Sequence, residues 1–234
     1  MFVPLYLTPR CTGIYLHPIR GNAEMQIEKT DTETALQLLI SMIDKNTSAI
    51  SASSIVSADR DRVLAMIYSE LYGSRIESTI CCKQCSEKFD VDFSLTTLLA
   101  QLQPGKTPVP ENGIYELAEG VAYRLPTGKD EMMALSAEGI DPVQALLNEC
   151  LVAGSEIVEP GVVEAQMAKL APVLNLEMEA VCPECGKEQQ VRFDMQSFLL
   201  LRLKKERPRL IYEIHTIAHC YHWSHEEILQ LTRA

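Results

Sequence analysis

Two cysteine pairs are the residues of this sequence with the clearest capacity for chemistry. Each pair has the spacing Cys-x2-Cys, and the pairs are Cys82 with Cys85 and Cys182 with Cys185. A structural zinc ion takes four ligands in a tetrahedron, of which one such pair supplies only two. The sequence therefore predicts that the two pairs close on one zinc ion per chain. Because four thiolates leave no position for water, this zinc would be structural and not catalytic.

The segments around the two pairs repeat. The pairs lie 100 positions apart, and the residues that follow them match at the same offset, with Val91, Phe93 and Leu95 recurring as Val191, Phe193 and Met195. An apolar residue at every second position predicts a strand after each pair, and the apolar run beyond it predicts the start of a helix. Each segment therefore reads as half of a zinc ribbon.

The neighbouring cysteines leave one choice open. Cys81 adjoins Cys82 and could replace it as a ligand, but its three-residue gap to Cys85 is less usual, and we favour Cys82. Cys150 and Cys220 lie within apolar helical patterns, which predicts that both are small buried side chains. The alternative for the two pairs is that they form turns whose cysteines stay free and reduced.

Four histidines near the C-terminus suggest a second metal site, namely His215, His219, His222 and His225. The first three would share one helical face, but the sequence His-Glu-x-x-His of metalloprotease helices is absent. We therefore favour packed or surface histidines. The sequence also contains no nucleophile elbow, phosphate-binding glycine loop or dinucleotide fingerprint, so we predict that the protein is not an enzyme.

Composition narrows the classes of partner. The 234 residues carry a net charge of -11, which argues against general binding to nucleic acid or to an anionic membrane. No apolar run approaches the length of a membrane span, and the first residues do not resemble a signal peptide. We therefore expect a cytoplasmic protein, in which cysteine pairs are better read as metal ligands than as disulfides.

The rest of the chain must position the cysteine pairs, and its patterns predict an α+β fold in one compact domain. Prolines and glycines punctuate the first segment, apolar residues at helical spacing dominate the second, and helical patterns fill most of the long insertion. The predicted segments are a β-rich N-terminal arm (1–27), a helical segment (28–75), the first ribbon half (76–100), a strand and helical insertion (101–175), the second ribbon half (176–200) and a C-terminal helical hairpin (201–234).

Capping signals predict where several helices begin. Thr30 or Asp31 would cap one helix, Asp59 or Asp61 would begin the next, and Ser224 with Glu227 forms a capping box near the end.

The long helix predicted over residues 197–221 contains the basic run Arg202-Leu-Lys-Lys-Glu-Arg-Pro-Arg209, in which Pro208 would kink or divide the helix. We interpret the run as a solvated face; the alternative is a docking patch for an acidic partner. The final helices also resemble a DNA-binding helix-turn-helix, but Glu226 and Glu227 would repel phosphates at the point where bases are read.

Several short motifs follow one another along most of the chain. They are Leu7-Thr-Pro-Arg, Pro18-Ile-Arg, Asp61-Arg62, Tyr72-Gly73, Arg124-Leu-Pro-Thr-Gly128, Phe193-Asp-Met-Gln-Ser-Phe198 and Glu213-Ile-His-x3-His-x-Tyr-His-Trp-Ser-x-Glu-Glu-Ile228. In this order they resemble the family of T-even-type phage baseplate hub proteins or hub-assembly chaperones, whose relatives also occur in other contractile-tail and injection-particle gene sets. The resemblance implies a non-enzymatic role in building the hub, through binding to other tail proteins, either as a transient chaperone or as a resident part.

Two other functions remain as hypotheses. A zinc-ribbon regulator would bind nucleic acid through Arg202, Lys204, Lys205 and Arg209, and its binding would weaken with salt. A hydrolase built on the histidine cluster would require a second metal ion.

Overall fold

Helices and small antiparallel sheets make up the computed structural model, which describes residues 1–47, 50–105, 107–118, 120–154, 156 and 158–232. The prediction of an α+β fold is confirmed. The first half of the chain contains β1 (Phe2–Pro4), β2 (Gly13–Tyr15), α1 (Gly21–Met25), α2 (Thr32–Met42), a 3-10 turn (Ala52–Ser54), α3 (Ser57–Tyr72), β3 (Arg75–Cys81), β4 (Lys88–Ser94) and α4 (Leu95–Gln101). The second half contains β5 (Ile114–Ala118), β6 (Val121–Arg124), α5 (Gly128–Ser136), α6 (Pro142–Cys150), β7 (Leu151–Ala153), α7 (Pro160–Leu170), β8 (Asn175–Val181), β9 (Glu188–Asp194), α8 (Met195–Tyr221) and α9 (His225–Leu229).

The largest core joins the N-terminal arm to three helices. In the arm, β1 pairs with β2 and leads to the short helix α1. Helix α2 begins after Asp31, whose carboxylate accepts the Thr34 N–H at 3.0 Å, so Asp31 is the cap that the sequence offered as one of two choices. The buried faces of α2 and α3 and the first turns of α8 pack together around Leu39, Leu64 and Leu199.

The predicted start of α3 at Asp59 or Asp61 is wrong. The helix begins at Ser57, and both carboxylates lie inside its first turns, where they are buried. Asp59 instead accepts hydrogen bonds from a distant loop. Its oxygens take the backbone N–H groups of Tyr6, Leu7 and Thr8 at 2.8 to 3.0 Å and the Thr8 hydroxyl at 2.7 Å. A buried carboxylate therefore fixes the N-terminal arm.

The next three residues of α3 each hold another segment. Arg60 donates to Glu131 of α5 at 2.6 Å, and Asp61 accepts the backbone N–H of Leu174, just before β8, at 2.9 Å. The Arg62 guanidinium donates to the Leu102 carbonyl, just after α4. Because buried polar groups are costly unless they are paired, this turn of α3 specifies how four separate segments assemble.

Asp61 is the titratable group of this network whose pKa moves most clearly. Burial raises the pKa of Asp61 to about 6. Its charged and polar neighbours act in both directions: Arg60 and the Leu174 N–H lower the pKa, whereas the carboxylates of Glu131 and Asp194 raise it. The Arg60 pKa is lowered by burial, but Asp61 and Glu131 outweigh that effect and leave it raised.

A raised carboxyl pKa predicts a specific pH dependence of stability. Between pH 4 and 6 the folded protein keeps the Asp61 proton while the unfolded chain has lost it, so stability falls as pH rises through this window and is level above it. The full effect is on the order of 3 kcal/mol. Asp61→Asn can still accept the Leu174 N–H but does not titrate. The unfolding free energy of wild type minus that of Asp61→Asn, measured by urea denaturation from pH 4 to 7, should therefore decrease as the pH rises to 6 and stay constant above it. A constant difference throughout would contradict the prediction.

The insertion between the two ribbon halves contributes most of a second, smaller core, to which Leu7, Val56 and Ala58 also belong. The strand expected in the insertion is present as a hairpin of β5 and β6, and β7 pairs with β6 to complete a three-stranded sheet. Helix α5 begins with a capping box between Thr127 and Asp130, and Arg124 donates to both carboxylate oxygens of Asp130 at 2.5 and 2.7 Å. Cys150, fully buried as predicted, lies in this core.

In the C-terminal region the structure differs from two predictions. Helix α8 runs without interruption through Pro208, so it is not divided there. Cys220 is exposed, although its sequence context predicted burial. The final turn agrees with the sequence, because Ser224 and Glu227 form the predicted capping box at the start of α9. Within the described residues, none of the helices is long and apolar enough to cross a membrane.

Candidate metal centre

Each cysteine pair lies in the turn of a β-hairpin. The first hairpin joins β3 to β4, with register from Arg75 opposite Ser94 to Cys81 opposite Lys88. The second joins β8 to β9, and every partner in its register is the first hairpin's partner shifted by 100 positions. The strand after each pair was predicted from alternation. The strand before each pair was not, and the two hairpins show that it belongs to the same repeated unit.

The backbone of the two turns also repeats. The Cys82 N–H donates to the Glu87 carbonyl at 2.8 Å, and the Ser86 N–H donates to the Cys82 carbonyl at 3.0 Å. The same two bonds recur in the second turn, 100 positions later, at 2.9 Å each. The residue after the second cysteine is left-handed in both turns, with φ of 63° at Ser86 and 69° at Gly186. Glycine adopts this conformation without strain, which explains its place in the second turn.

The ends of the hairpins fix their orientation. Leu95 and Met195, the first residues of α4 and α8, are fully buried in the main core. Ser94 and Asp194 cap these helices by accepting the N–H three residues ahead. The rings of Phe93 and Phe193 meet edge to face with centroids 5.0 Å apart. The hairpins are therefore anchored by the same kind of residue at each base, which brings their turns together.

The four cysteine sulfurs of the two turns converge. All four Sγ atoms lie within 4.8 Å of one another, with Cys82 and Cys185 at 3.6 Å and Cys85 and Cys182 at 3.7 Å. These separations exclude disulfides, whose sulfurs lie about 2 Å apart. Zinc–sulfur bonds of about 2.3 Å in a tetrahedron would separate the sulfurs by about 3.8 Å. The cluster is thus compatible with a metal site in both ligand type and spacing.

Cys81 lies beside the cluster and is not one of its members. Its side chain is exposed, and its thiol donates to the Ser86 carbonyl at 3.2 Å. Of the two adjacent cysteines, it is Cys82 that points toward the second hairpin and is buried there.

Gln189 connects the two hairpins and was missed by the sequence analysis. Its side-chain oxygen accepts the Lys83 N–H at 2.9 Å, and its side-chain nitrogen donates to the Cys81 carbonyl at 3.3 Å. Gln189, which belongs to the second hairpin, therefore stabilises the position of the first cysteine turn. The signal was a departure from the repeat, because the equivalent position in the first hairpin is the buried apolar Phe89.

The thiols of the cluster affect one another electrostatically. The backbone N–H groups of Cys85 and Gln84 lower the pKa of Cys82 to about 6. The Glu87 N–H lowers the pKa of Cys85, but burial and hydrogen bonds with the neighbouring thiols raise it to about 12. One thiolate thus forms readily, and a second is opposed by the charge of the first. Four thiolates this close require a compensating cation.

The four histidines considered as an alternative metal site do not assemble into a comparable group within the described residues. The rings of His215 and His219 lie nearly parallel on the exposed side of α8, with centroids 6.3 Å apart. Within the described residues, the four cysteines are the one group of three or more histidine, cysteine or acidic side chains that converge closely enough to hold a metal.

Comparison with known proteins gives a match to a protein family. No curated protein and no solved structure matches the chain. A protein family described as T4 bacteriophage base plate protein matches residues 22–200, which include both cysteine pairs, the insertion and most of the main core. Because the match covers well over half of the sequence, the chain belongs to this family of T4 bacteriophage base plate proteins.

Proposed function

We propose that this protein helps to build the hub of a contractile-tail base plate, and that its four clustered cysteines hold a structural zinc ion. Family membership supports a structural base plate role. The observation that carries the proposal further is the convergence of four sulfurs from two hairpins that are 100 residues apart in sequence. Such a centre has no ligand position for a substrate, so it serves architecture and not catalysis.

The zinc would connect parts of the chain that are distant in sequence. Closing the long loop between the cysteine pairs has an entropic cost that grows only slowly with length. Apparent zinc binding of roughly 10–16 kcal/mol, as in small zinc-finger peptides, is large enough to offset it. The metal would fix the two hairpins, and through α4 and α8 it would fix the insertion and the C-terminal helices as surfaces for other tail proteins.

The role in assembly can be tested in the native setting. The protein, tagged and expressed from its own locus, should co-purify with tail particles or with their assembly intermediates when these are separated on gradients and viewed by electron microscopy. Recovery with finished tails would identify a resident part, and recovery with intermediates alone would identify a cytoplasmic chaperone. Absence from both fractions would contradict the proposed function.

A zinc-ribbon regulator remains the second candidate because Lys204 and Lys205 are exposed on α8. Arg202 and Arg209 contribute less positive potential, since each pairs with a glutamate one turn ahead, at 3.3 and 2.8 Å. A regulator of this kind would shift a duplex or a single strand in a low-salt mobility assay, which the hub protein should not do.

A further inference from the structure

The second half of α8 is a long stretch of helix with few buried residues. The first turns, from Met195 to Leu203, are built into the main core. Of residues 204–221, Ile214 alone is buried. These eighteen residues extend over about 27 Å of helix. A helix of this length with one buried residue is unusual for an element that serves only the core, since helices in proteins are held mainly by packing of an apolar face.

The exposed part of α8 is basic on an acidic protein. Residues 204–221 carry four lysines or arginines against two glutamates, whereas the whole chain has a net charge of -11. Lys204 and Lys205 are exposed, and neither has a carboxylate within ion-pair distance in the described part of the chain. Like charges that remain unpaired on an otherwise acidic surface favour an acidic partner.

Apolar side chains lie among these cations. Leu201, four residues before Lys205, and Pro208 and Tyr212 after it lie with Lys205 along one stripe at helical spacing, and Leu201 and Tyr212 are 42% and 70% exposed. Ile211, beside this stripe, is also half-exposed. The exposed surface of α8 therefore combines apolar and positive side chains.

The stripe begins in an apolar groove. Leu201 also lines a groove of about 860 Å³ between the two hairpins and helices α5, α6 and α8. Two further walls of this groove carry exposed apolar side chains, Leu135 of α5 and Val143 of α6. Exposed apolar surface that is contiguous in this way marks interaction sites more often than scattered side chains do.

We propose that the groove and the exposed stripe of α8 together bind an acidic amphipathic segment of another base plate protein. Its apolar side chains would enter the groove against Leu135, Val143 and Leu201, and its carboxylates would pair with Lys204 and Lys205. A second copy of this chain is disfavoured as the occupant, because two bodies of charge -11 repel each other. The inference rests on the proposed function and adds the site and the chemistry of the partner.

Carbodiimide cross-linking tests directly whether Lys204 and Lys205 contact carboxylates of another protein. The reagent joins an amine to a carboxylate in direct contact without adding atoms, and it would be applied to the tail particles or intermediates that contain the tagged full-length protein. Mass spectrometry should find Lys204 or Lys205 joined to Asp or Glu of a different polypeptide, within a segment that has apolar residues at helical spacing. Cross-links from these lysines only to a second copy of this chain, or none at all, would overturn the inference.

A pair of charge reversals tests the contribution to binding. Lys204→Glu with Lys205→Glu should lower incorporation into tails or intermediates about tenfold or more, because two attractions become repulsions. Lys45→Glu with Lys169→Glu makes the same change in net charge at two other exposed positions and should leave incorporation unchanged. Zinc content and far-UV circular dichroism of both variants should equal those of wild type. Normal incorporation of the first variant would overturn this inference alone, whereas failure of wild type to enter any tail fraction would overturn the proposed function.

Discussion

Replacing Cys82 or Cys185 with serine is expected to remove zinc from the protein, from one ion per chain to none. A serine hydroxyl stays protonated at neutral pH and does not replace a thiolate ligand. The free energy of zinc binding that would be lost, roughly 10 kcal/mol or more, is comparable to the whole free energy of unfolding of a typical domain, about 5–15 kcal/mol. The thermal midpoint of these variants should fall by more than about 10 °C, and tail assembly should be lost. Elemental analysis and calorimetry of the purified proteins measure the two effects.

Two cysteines outside the cluster serve as matched controls for the serine variants. Cys81→Ser alters the neighbour of a ligand, and Cys220→Ser alters an exposed thiol on α8. Both should retain one zinc ion and a wild-type midpoint. If Cys81→Ser lost the metal while Cys82→Ser kept it, Cys81 would be the ligand in place of Cys82. Retained metal and normal tails in both Cys82→Ser and Cys185→Ser would defeat the proposed zinc site.

The turn and the second strand of each hairpin were predictable because their signals are local and occur twice. Alternating apolar residues specify a strand, and the spacing of each cysteine pair specifies the turn. Repetition at one offset then indicated that the two units are equivalent. Of the strands before the pairs, β8 does alternate Leu176 and Met178 with glutamates, a signal that the sequence analysis did not use, whereas most of β3 is polar and its signal is weaker. Their pairing partners are what reveal them.

The interior of α3 was not predictable in the same way. Asp59 and Asp61 have the residue type of helix caps, and local reasoning assigned them that role. Their actual partners, such as Leu7 and Leu174, are about 50 and 110 positions away and leave no trace in the local pattern. Pro208 shows the converse error, because a proline removes one backbone hydrogen bond but the helix continues on both sides of it. Tertiary contacts outweighed local preference at Asp59 and Asp61.

The second large effect is expected at Asp59, which is fully buried. Asp59→Ala removes an acceptor for three backbone N–H groups and one hydroxyl of the segment Tyr6–Thr8. Two of these N–H groups, on Leu7 and Thr8, would remain buried without a partner, and the nearby Arg62 guanidinium would lose a negative neighbour. Unpaired buried groups of this kind cost about 3–5 kcal/mol in total. The midpoint of urea unfolding should fall accordingly, with an unchanged slope.

Asp59→Asn separates the role of the acceptor oxygens from that of the side-chain volume. One carboxylate oxygen of Asp59 accepts three of the four hydrogen bonds, from the N–H groups of Leu7 and Thr8 and the Thr8 hydroxyl. The amide oxygen of asparagine can take that position, and only the bond from Tyr6 would then be lost. Asp59→Asn should therefore cost about 1–2 kcal/mol, less than half the effect of alanine. Asp90→Ala, which removes an exposed carboxylate bonded to Thr79, should change stability by less than about 0.5 kcal/mol. If Asp59→Ala unfolded at the same urea concentration as Asp90→Ala, Asp59 would not be the group that holds the N-terminal arm to the helical core.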